Sequence, residues 1–393
     1  MAKRELTEAV RQRYQRANKK QKGTILDEFI ANTGYHRKYA LALLGQHRPT
    51  HQAPRQRKRP HIYTPDAQAA LIRVWEVCDH IASRRLHPFL PDMIDVLERT
   101  GELRLPPTTK TLLLAMSRST MDRLLHKARE RQRPHGLSTT KPGTLLHHFI
   151  PIRTWAEWDD ARPGFLEIDL VAHCGESTEG EYLVTLNAVD IATGWSECVV
   201  PANRGQEAVR AALQEIRQRL PVPLLGIDSD NDSAFINAHL LRYCQAEEIT
   251  FTRSRPYKKN DQAYVEQKNW SIVRRVVGYD RYEGGIAEAA LNALYRDLRL
   301  YVNFFQPSMK LAMKSRVDGK VKKVYDKAQT PFRRMEASPF VSAAIKAQLR
   351  AQYLTLNPVA LRTQILRELD DLWNIYAIRL SCNRRTHDGK IIA

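Results

Sequence analysis

The chain has 393 residues, with 62 Lys or Arg against 43 Asp or Glu and a formal net charge of +19. That length can bury a sizeable core and predicts roughly two to four structural units. A charged start, no 18-residue apolar run, and five scattered cysteines without CxxC argue against a secretory leader, a membrane span, a disulfide framework and a zinc ribbon. A soluble, cytosolic protein is expected. The charge is uneven: residues 1 to 150 hold 28 Lys or Arg against 13 Asp or Glu, and residues 151 to 393 hold 34 against 30. A basic front half predicts a polyanionic partner there.

Residues 5 to 45 carry a helical pattern. Ile25, Leu26, Phe29 and Ile30 form one apolar face, Asn32-Thr33-Gly34 interrupts it, and Tyr35 to Leu44 resumes with Ala40, Leu43 and Leu44 inward. Helix, short Gly-bearing turn, helix is the layout of a helix-turn-helix. It would place His36, Arg37 and Lys38 at the front of the second helix, against base edges and phosphates. An ordinary helical hairpin has the same pattern; the basic flank Arg11, Arg13, Arg16, Lys19, Lys20 and Lys22 favours DNA. Residues 46 to 62 hold three prolines and five Lys or Arg, so they predict a linker. Arg57, Lys58 and Arg59 suit a strap on a phosphate backbone or in a minor groove, and a solvated tether fits equally.

Residues 65 to 131 predict a second helical unit. Thr64-Pro65 is its start, and Leu71, Ile72, Trp75, Val77, Met93, Ile94 and Leu97 are core candidates. Thr111 to Met116 is apolar, Ser117 is a candidate cap, and Ser119 to Arg129 is a helix bearing Arg123, His126, Lys127 and Arg129. This is a second helix-turn-helix-like stretch, with Arg123 and Lys127 as candidate DNA contacts. The Pro, Gly, Ser and Thr of residues 132 to 150 mark another linker.

From residue 163 the pattern turns to strands, at Phe165 to Val171, Tyr182 to Val189 and Glu197 to Val200. Gln206 to Leu220 is an amphipathic helix. Pro223 to Ile227 reads as a buried strand that breaks into the acidic turn Asp228-Ser229-Asp230-Asn231-Asp232. A helical pattern follows with Phe235, Ile236, Leu240 and Leu241 on one face. Then come a strand at Ile249 to Thr252, a helix from Asp261 to Val277 and a last helix from Ile286 to Phe304. This order predicts a mixed sheet with helices packed on its faces. His173-Cys174 has no matching His/Cys pair nearby and reads as structural or as a support behind metal ligands.

Three acids stand out. Asp169 lies among apolar strand neighbours, Asp230 at the end of the fourth strand, and Glu266 in the helix, with 35 residues between the last two. A carboxylate in a buried strand is costly unless paired or metal-bound. Carboxylates brought together repel, and a divalent cation relieves the repulsion; oxygen-only ligands favour Mg²⁺ or Mn²⁺. The acidic turn also fits plain helix capping, and Asp228 is an alternative second ligand.

The segment from about 163 to 283 resembles the catalytic core of the retroviral-integrase superfamily, specifically a DDE transposase of bacterial insertion sequences. The resemblance rests on Glu-Ile-Asp with Asp169, Asp-Ile-Ala-Thr-Gly-Trp at 190 to 195, Asp-Ser-Asp-Asn around Asp230, and Asn260-Asp-Gln-Ala-Tyr-Val-Glu266-Gln-Lys-Asn269. It implies an RNase H-like fold in which Asp169, Asp230 and Glu266 are the metal-binding, catalytic triad for two Mg²⁺ (or Mn²⁺). It further implies a polynucleotidyl transferase that binds double-stranded DNA, both element ends and target. Such an enzyme nicks with water and joins through the freed 3′-hydroxyl, without a covalent protein–DNA intermediate. A homo-oligomer on DNA, in a bacterial cytoplasm at the nucleoid and with no membrane partner, goes with it. Lys258, Lys259 and Lys268 flank the third acid as candidate phosphate contacts. Where the family has Gly after Asp-Asn, and often an acid or amide two residues later, this chain has Asp232 and Ala234. The alternative that these two support is a catalytically inactive, transposase-derived DNA-binding protein or repressor.

The expected architecture is multidomain. It runs from a helix-turn-helix region at 1–46 and a basic linker at 47–63 to a second helical domain at 64–131 and a linker at 132–152. An α/β RNase H-like domain with a mixed sheet follows at 153–306, and a small C-terminal region at 307–393. In that last region Asp318-Gly319 predicts a basic hairpin, and helical patterns follow at Val341 to Tyr353 and Pro358 to Tyr376.

Overall fold

The structure is a computed structural model that describes residues 2–45, 62–130, 161–230, 232, 234–235, 237–254, 262–317 and 320–388. The chain divides into two compact units, Met1–Ile62 and Tyr63–Ala393. In the first, α1 (Ala2–Arg16), α2 (Lys19–Thr33) and α3 (Arg37–Gly45) bury Leu26, Phe29, Ala40 and Leu44, with Leu6, Val10 and Tyr14 packed against them. Asn18 starts α2 with a capping box: its side chain accepts the Gln21 N–H, and the Gln21 side chain accepts the Asn18 N–H. Gly34 ends α2 at φ 69°, a left-handed conformation that glycine adopts without strain. This region is entirely helical, as its periodicity predicts.

The second unit begins with α4 (Pro65–Val77), α5 (Ser83–Arg99), α6 (Pro107–Leu114) and α7 (Arg118–Glu130). Thr64 caps α4, its hydroxyl accepting the Ala67 N–H at 3.3 Å, and Pro65 takes the first turn. Residues 64–131, expected as a domain of their own, do not keep a separate core. Leu71, Trp75, Leu90 and Met93 share one apolar cluster with Leu294, Tyr301, Phe305 and Phe332 far along the chain. The Tyr301 hydroxyl also donates to the Val77 carbonyl and the Gln306 amide to that of Cys78.

Five strands form the central sheet: β1 (Phe165–Ala172), β2 (Val184–Asp190), β3 (Ser196–Val199), β4 (Gly226–Ser229) and β5 (Thr250–Arg253). Their order is β3-β2-β1-β4-β5, antiparallel from β3 to β1 and parallel from β1 to β5. A mixed sheet with helices is what the pattern predicts. Side chains alternate across it. Leu166, Ile168, Leu186, Ala188, Val199, Ile227 and Phe251 face one side, where they pack with α8 (Gln206–Arg219) and α9 (Ala238–Ala246). Glu167, Asp169, Thr185, Asn187, Cys198, Asp228 and Thr252 occupy the opposite, polar side.

Over β1 and β2 on that polar side lies α10 (Ala263–Lys268), which runs on as a π-helical turn, Asn269–Arg274, and α11 (Arg275–Val277). The helical period of this stretch is legible in the sequence; the π turn is not. α9 starts later than predicted because Asn237 caps it, its side chain accepting the Leu240 N–H at 2.8 Å, which leaves Phe235 buried in the preceding turn. α12 (Gly284–Phe305) packs on β3, and the tail supplies the ribbon β6 (Leu311–Val317) and β7 (Lys320–Tyr325). Asp318 and Gly319, which predict that hairpin, lie outside the described residues. The helices α13 (Pro331–Ala337), α14 (Ala343–Thr355) and α15 (Pro358–Asp388) close the unit, and α15 packs along α12. No helix among the described residues is long and apolar enough to cross a membrane.

An edge strand leaves backbone groups that must be satisfied. At β3 two side chains of α12 do this. Asn303 accepts the Ser196 N–H and donates to the Ser196 carbonyl, both at 2.9 Å; Asn292 does the same for Val200, at 2.9 and 3.0 Å. Asn303 and Ser196 are buried. Asn303→Ala would strand a buried donor and a buried acceptor, so it is expected to lower the unfolding free energy by about 2–4 kcal/mol. Urea unfolding measures this; a loss below about 0.5 kcal/mol, ordinary for a surface change, would contradict it.

Candidate functional site

β1 and β4 are neighbouring parallel strands whose register pairs Glu167 with Asp228 and Ile168 with Ser229. Asp169 and Asp230 are the next residues on each chain. Adjacent strands lie about 4.8 Å apart, so the polar side of the sheet carries two rows of acids. The lower row, Glu167 and Asp228, is fully buried; the upper, Asp169 and Asp230, is only half-buried. Asp228 therefore stands level with Glu167 and not with Asp169.

The lower row is hydrogen-bonded. Asp228 Oδ1 accepts the Thr252 hydroxyl at 2.7 Å, and Glu167 Oε2 accepts the N–H groups of Tyr264 and Val265 at 2.9 and 3.0 Å. In the upper row, Asp169 Oδ1 accepts the Leu170 N–H and Oδ2 accepts the Asn269 amide. Asn269 is held in turn by the Asn187 amide, at 2.7 Å. Asp230 Oδ1 accepts the Asp232 N–H at 3.0 Å.

Burial, then the charge of Asp230 and more weakly that of Glu266, pushes the Asp169 carboxyl well above the usual aspartate range; the Asn269 amide and Leu170 N–H oppose this. Asp230 is raised too, by burial; the Asp232 N–H opposes this, and the Asp232 charge adds to it more weakly. Glu266 is exposed on α10. The three acids share one electrostatic neighbourhood, with Asp169 and Asp230 next to each other. Among the described residues, no three His, Cys, Asp or Glu side chains are already drawn together as a ligand set. The donors are all oxygen, and like charges in a half-buried setting are relieved by a hard divalent cation. Asp169 and Asp230 are the residues that could hold such an ion.

Of the predicted DNA contacts, His36, Arg37 and Lys38 are exposed at the start of α3, with Arg37 paired to Asp27. Arg123 and Lys127 are exposed on α7. Arg57, Lys58, Arg59, Lys258 and Lys259 lie outside the described residues. Lys268 is placed differently from the expectation. It is half-buried, and burial, aided by Arg85 and Arg334, pulls its ammonium down to about 8. It sits on a less exposed side of α10 than Glu266 and Gln267.

Three residues of the site carry no role in the sequence reading: Glu167, Asn187 and Asn269. Glu167 had a signal, since an acid in an apolar strand two residues before Asp169 must share its face. Asn187 had none, because only strand pairing brings it opposite Asp169. His173, read as structural, is buried with Nε2 2.7 Å from the Thr185 hydroxyl.

No family model matches the chain. Among solved structures, the magnesium-bound, dimeric HTLV-2 integrase catalytic core domain is 14% identical, with 37% of this chain and 91% of that one covered at a TM-score of 0.29. The catalytic core domain of BIV integrase is 17% identical, with 43% and 91% covered and the same TM-score, 0.29. The uncharacterized protein y4rM of Sinorhizobium fredii is 44% identical over 331 residues, which span 84% of this chain and 94% of that protein. At that identity and coverage, the chain belongs to the family of the Sinorhizobium fredii protein y4rM.

Proposed function

We propose that the chain is a DDE-type DNA transposase. In this reading it binds element ends through its basic front half, then cleaves DNA strands and joins them to a target through a 3′-hydroxyl. The observation that carries the reading is the placement of Asp169 and Asp230 as next neighbours past a parallel register, with Glu266 acting on the same carboxyl. Asp169, Asp230 and Glu266 would hold the cation, and Asn269, which donates to Asp169, would orient it. The chemistry that a divalent metal bound there would supply is activation of an attacking oxygen and stabilisation of a leaving one. His36, Arg37 and Lys38 supply exposed base and phosphate contacts, with Arg123 and Lys127 adding others. An exposed ion pair such as Arg37–Asp27 is worth little, so Arg37 can exchange it for a phosphate. Joining two ends in concert calls for more than one copy on the DNA.

A second reading, a DNA binder without catalysis, is favoured by Asp232, whose charge adds to the burial that raises the Asp230 carboxyl. An assay of Mg²⁺- or Mn²⁺-dependent nicking and strand transfer decides between the two. Asp169→Asn, Asp230→Asn and Glu266→Gln are each expected to lose at least about 10²-fold in activity while retaining DNA binding, beyond the 10–100-fold typical of residues that only support a ligand. Wild-type joining by any of the three would refute the triad. If wild type binds DNA without cutting it and Asp232→Gly restores cutting, the second reading holds for the natural chain.

The raised Asp169 carboxyl has a consequence for stability. An unfolded aspartate loses its proton near about pH 4, whereas Asp169 in the folded chain keeps its own to higher pH. Between those values the folded state binds more protons, so this group's contribution to stability falls as pH rises. A cation held by the ionised carboxylates offsets that loss. Mg²⁺ or Mn²⁺ is therefore expected to raise Tm at about pH 8 and not at about pH 5, and Asp169→Asn to abolish the gain. Differential scanning fluorimetry checks this, and an equal gain in the variant would exclude Asp169 as a ligand.

A further inference from the structure

The helix that presents Glu266 has no cap of its own. α10 begins at Ala263, and Gln262 before it makes no side-chain capping hydrogen bond. A helix start leaves N–H groups without intrahelical partners, and a capping side chain usually serves those of the second and third residues. Here these are Tyr264 and Val265. Both donate to one oxygen, Oε2 of Glu167, 97 and 98 residues back in the chain. Glu167 is 1% exposed, and a carboxylate so buried needs strong hydrogen bonds.

We propose that Glu167 is a positioning residue that sets Glu266 over Asp169 by capping the Glu266 helix from β1. The inference rests on the triad reading above. β1 carries Asp169 and, two residues earlier on the same face, the oxygen that fixes the start of α10. Glu266 is the residue directly after the second captured N–H. At the other end of α10, Asn269 donates to Asp169 itself. The helix is thus pinned to one strand on both sides of Glu266, and the two acids take their separation from that strand. A loose α10 start would leave Asp169 and Asp230 in place and let Glu266 wander.

Three variants of the full-length chain test this with two readouts that do not depend on turnover: hydrogen exchange at the amides of Tyr264 and Val265, and Mn²⁺ affinity by calorimetry. Glu167→Gln keeps an acceptor oxygen in place and is expected to retain protection and most of the affinity. Glu167→Ala removes the acceptor and is expected to speed exchange at both amides and weaken Mn²⁺ by about 10–100-fold, the range for residues that orient ligands. Glu167→Asp, with the charge kept but the side chain one methylene shorter, should fall between them and serves in place of Glu167→Ala should that variant not fold. Unchanged Mn²⁺ affinity in folded Glu167→Ala or Glu167→Asp, or equal damage in Glu167→Gln, overturns the positioning role. Asp169→Asn is the control: if wild type binds no Mn²⁺ that this variant loses, the triad reading itself fails and the proposal falls with it.

Discussion

Four carboxylates on one side of two neighbouring strands are the constraint around which this molecule is arranged. Alternation along β1 and β4 leaves no choice: Glu167 and Asp169 share a face, and so do Asp228 and Asp230. Buried acids at strand spacing would be prohibitive without partners. The two rows meet that cost differently. In the fully buried row, backbone N–H groups and the Thr252 hydroxyl supply hydrogen bonds. In the half-buried row two backbone N–H groups and the Asn269 amide donate, and the carboxyls still resist ionisation. The first row is closed off inside the fold, and the second is partly open to solvent.

The same constraint shapes what surrounds the sheet. Its apolar side closes under α8 and α9 by ordinary hydrophobic burial. The polar side needs a cover that can donate hydrogen bonds. A helix start does so for Glu167, an asparagine for Asp169, and two asparagines of α12 for the edge of β3. The π turn begins at Asn269, the residue that touches Asp169; such turns recur at functional sites.

Strands and helix order are legible in the sequence, and Asp169 and Asp230 stand out in it, because each leaves a local mark. Alternation of apolar and polar residues marks β1 and β2, an acidic turn after an apolar run marks Asp230, and an acid among apolar neighbours marks Asp169. Glu167 carries the same mark, yet its role was hidden, since its partners are backbone N–H groups that have no sequence signature. Lys268 misled for a related reason: a lysine in a helix reads as surface, and only the packing of α10 shows it half-buried beside Arg85 and Arg334. The unit at 64–131 showed amphipathic faces without showing what covers them. Its cover, α12 with Tyr301 and Phe305, lies more than a hundred residues away. Distance along the chain, more than local ambiguity, separates what could be read from what could not.

Asp232 and Ala234, the two departures from the resembled motif, differ in physical kind. Ala234 is buried in the apolar cluster beneath the sheet with Phe235 and Ile227. An acid or amide there would need a polar partner, so alanine serves the core at that point. Asp232 instead shapes the turn. Its N–H holds Asp230 Oδ1, and its own Oδ1 accepts the Ala234 N–H at 2.9 Å. That is the local bonding by which aspartate stabilises turns that glycine enters through conformational freedom. The turn therefore survives the loss of glycine, and what changes is the charge beside Asp230. The departure weighs on how readily Asp230 ionises, while the strand pairing that brings it beside Asp169 is left intact.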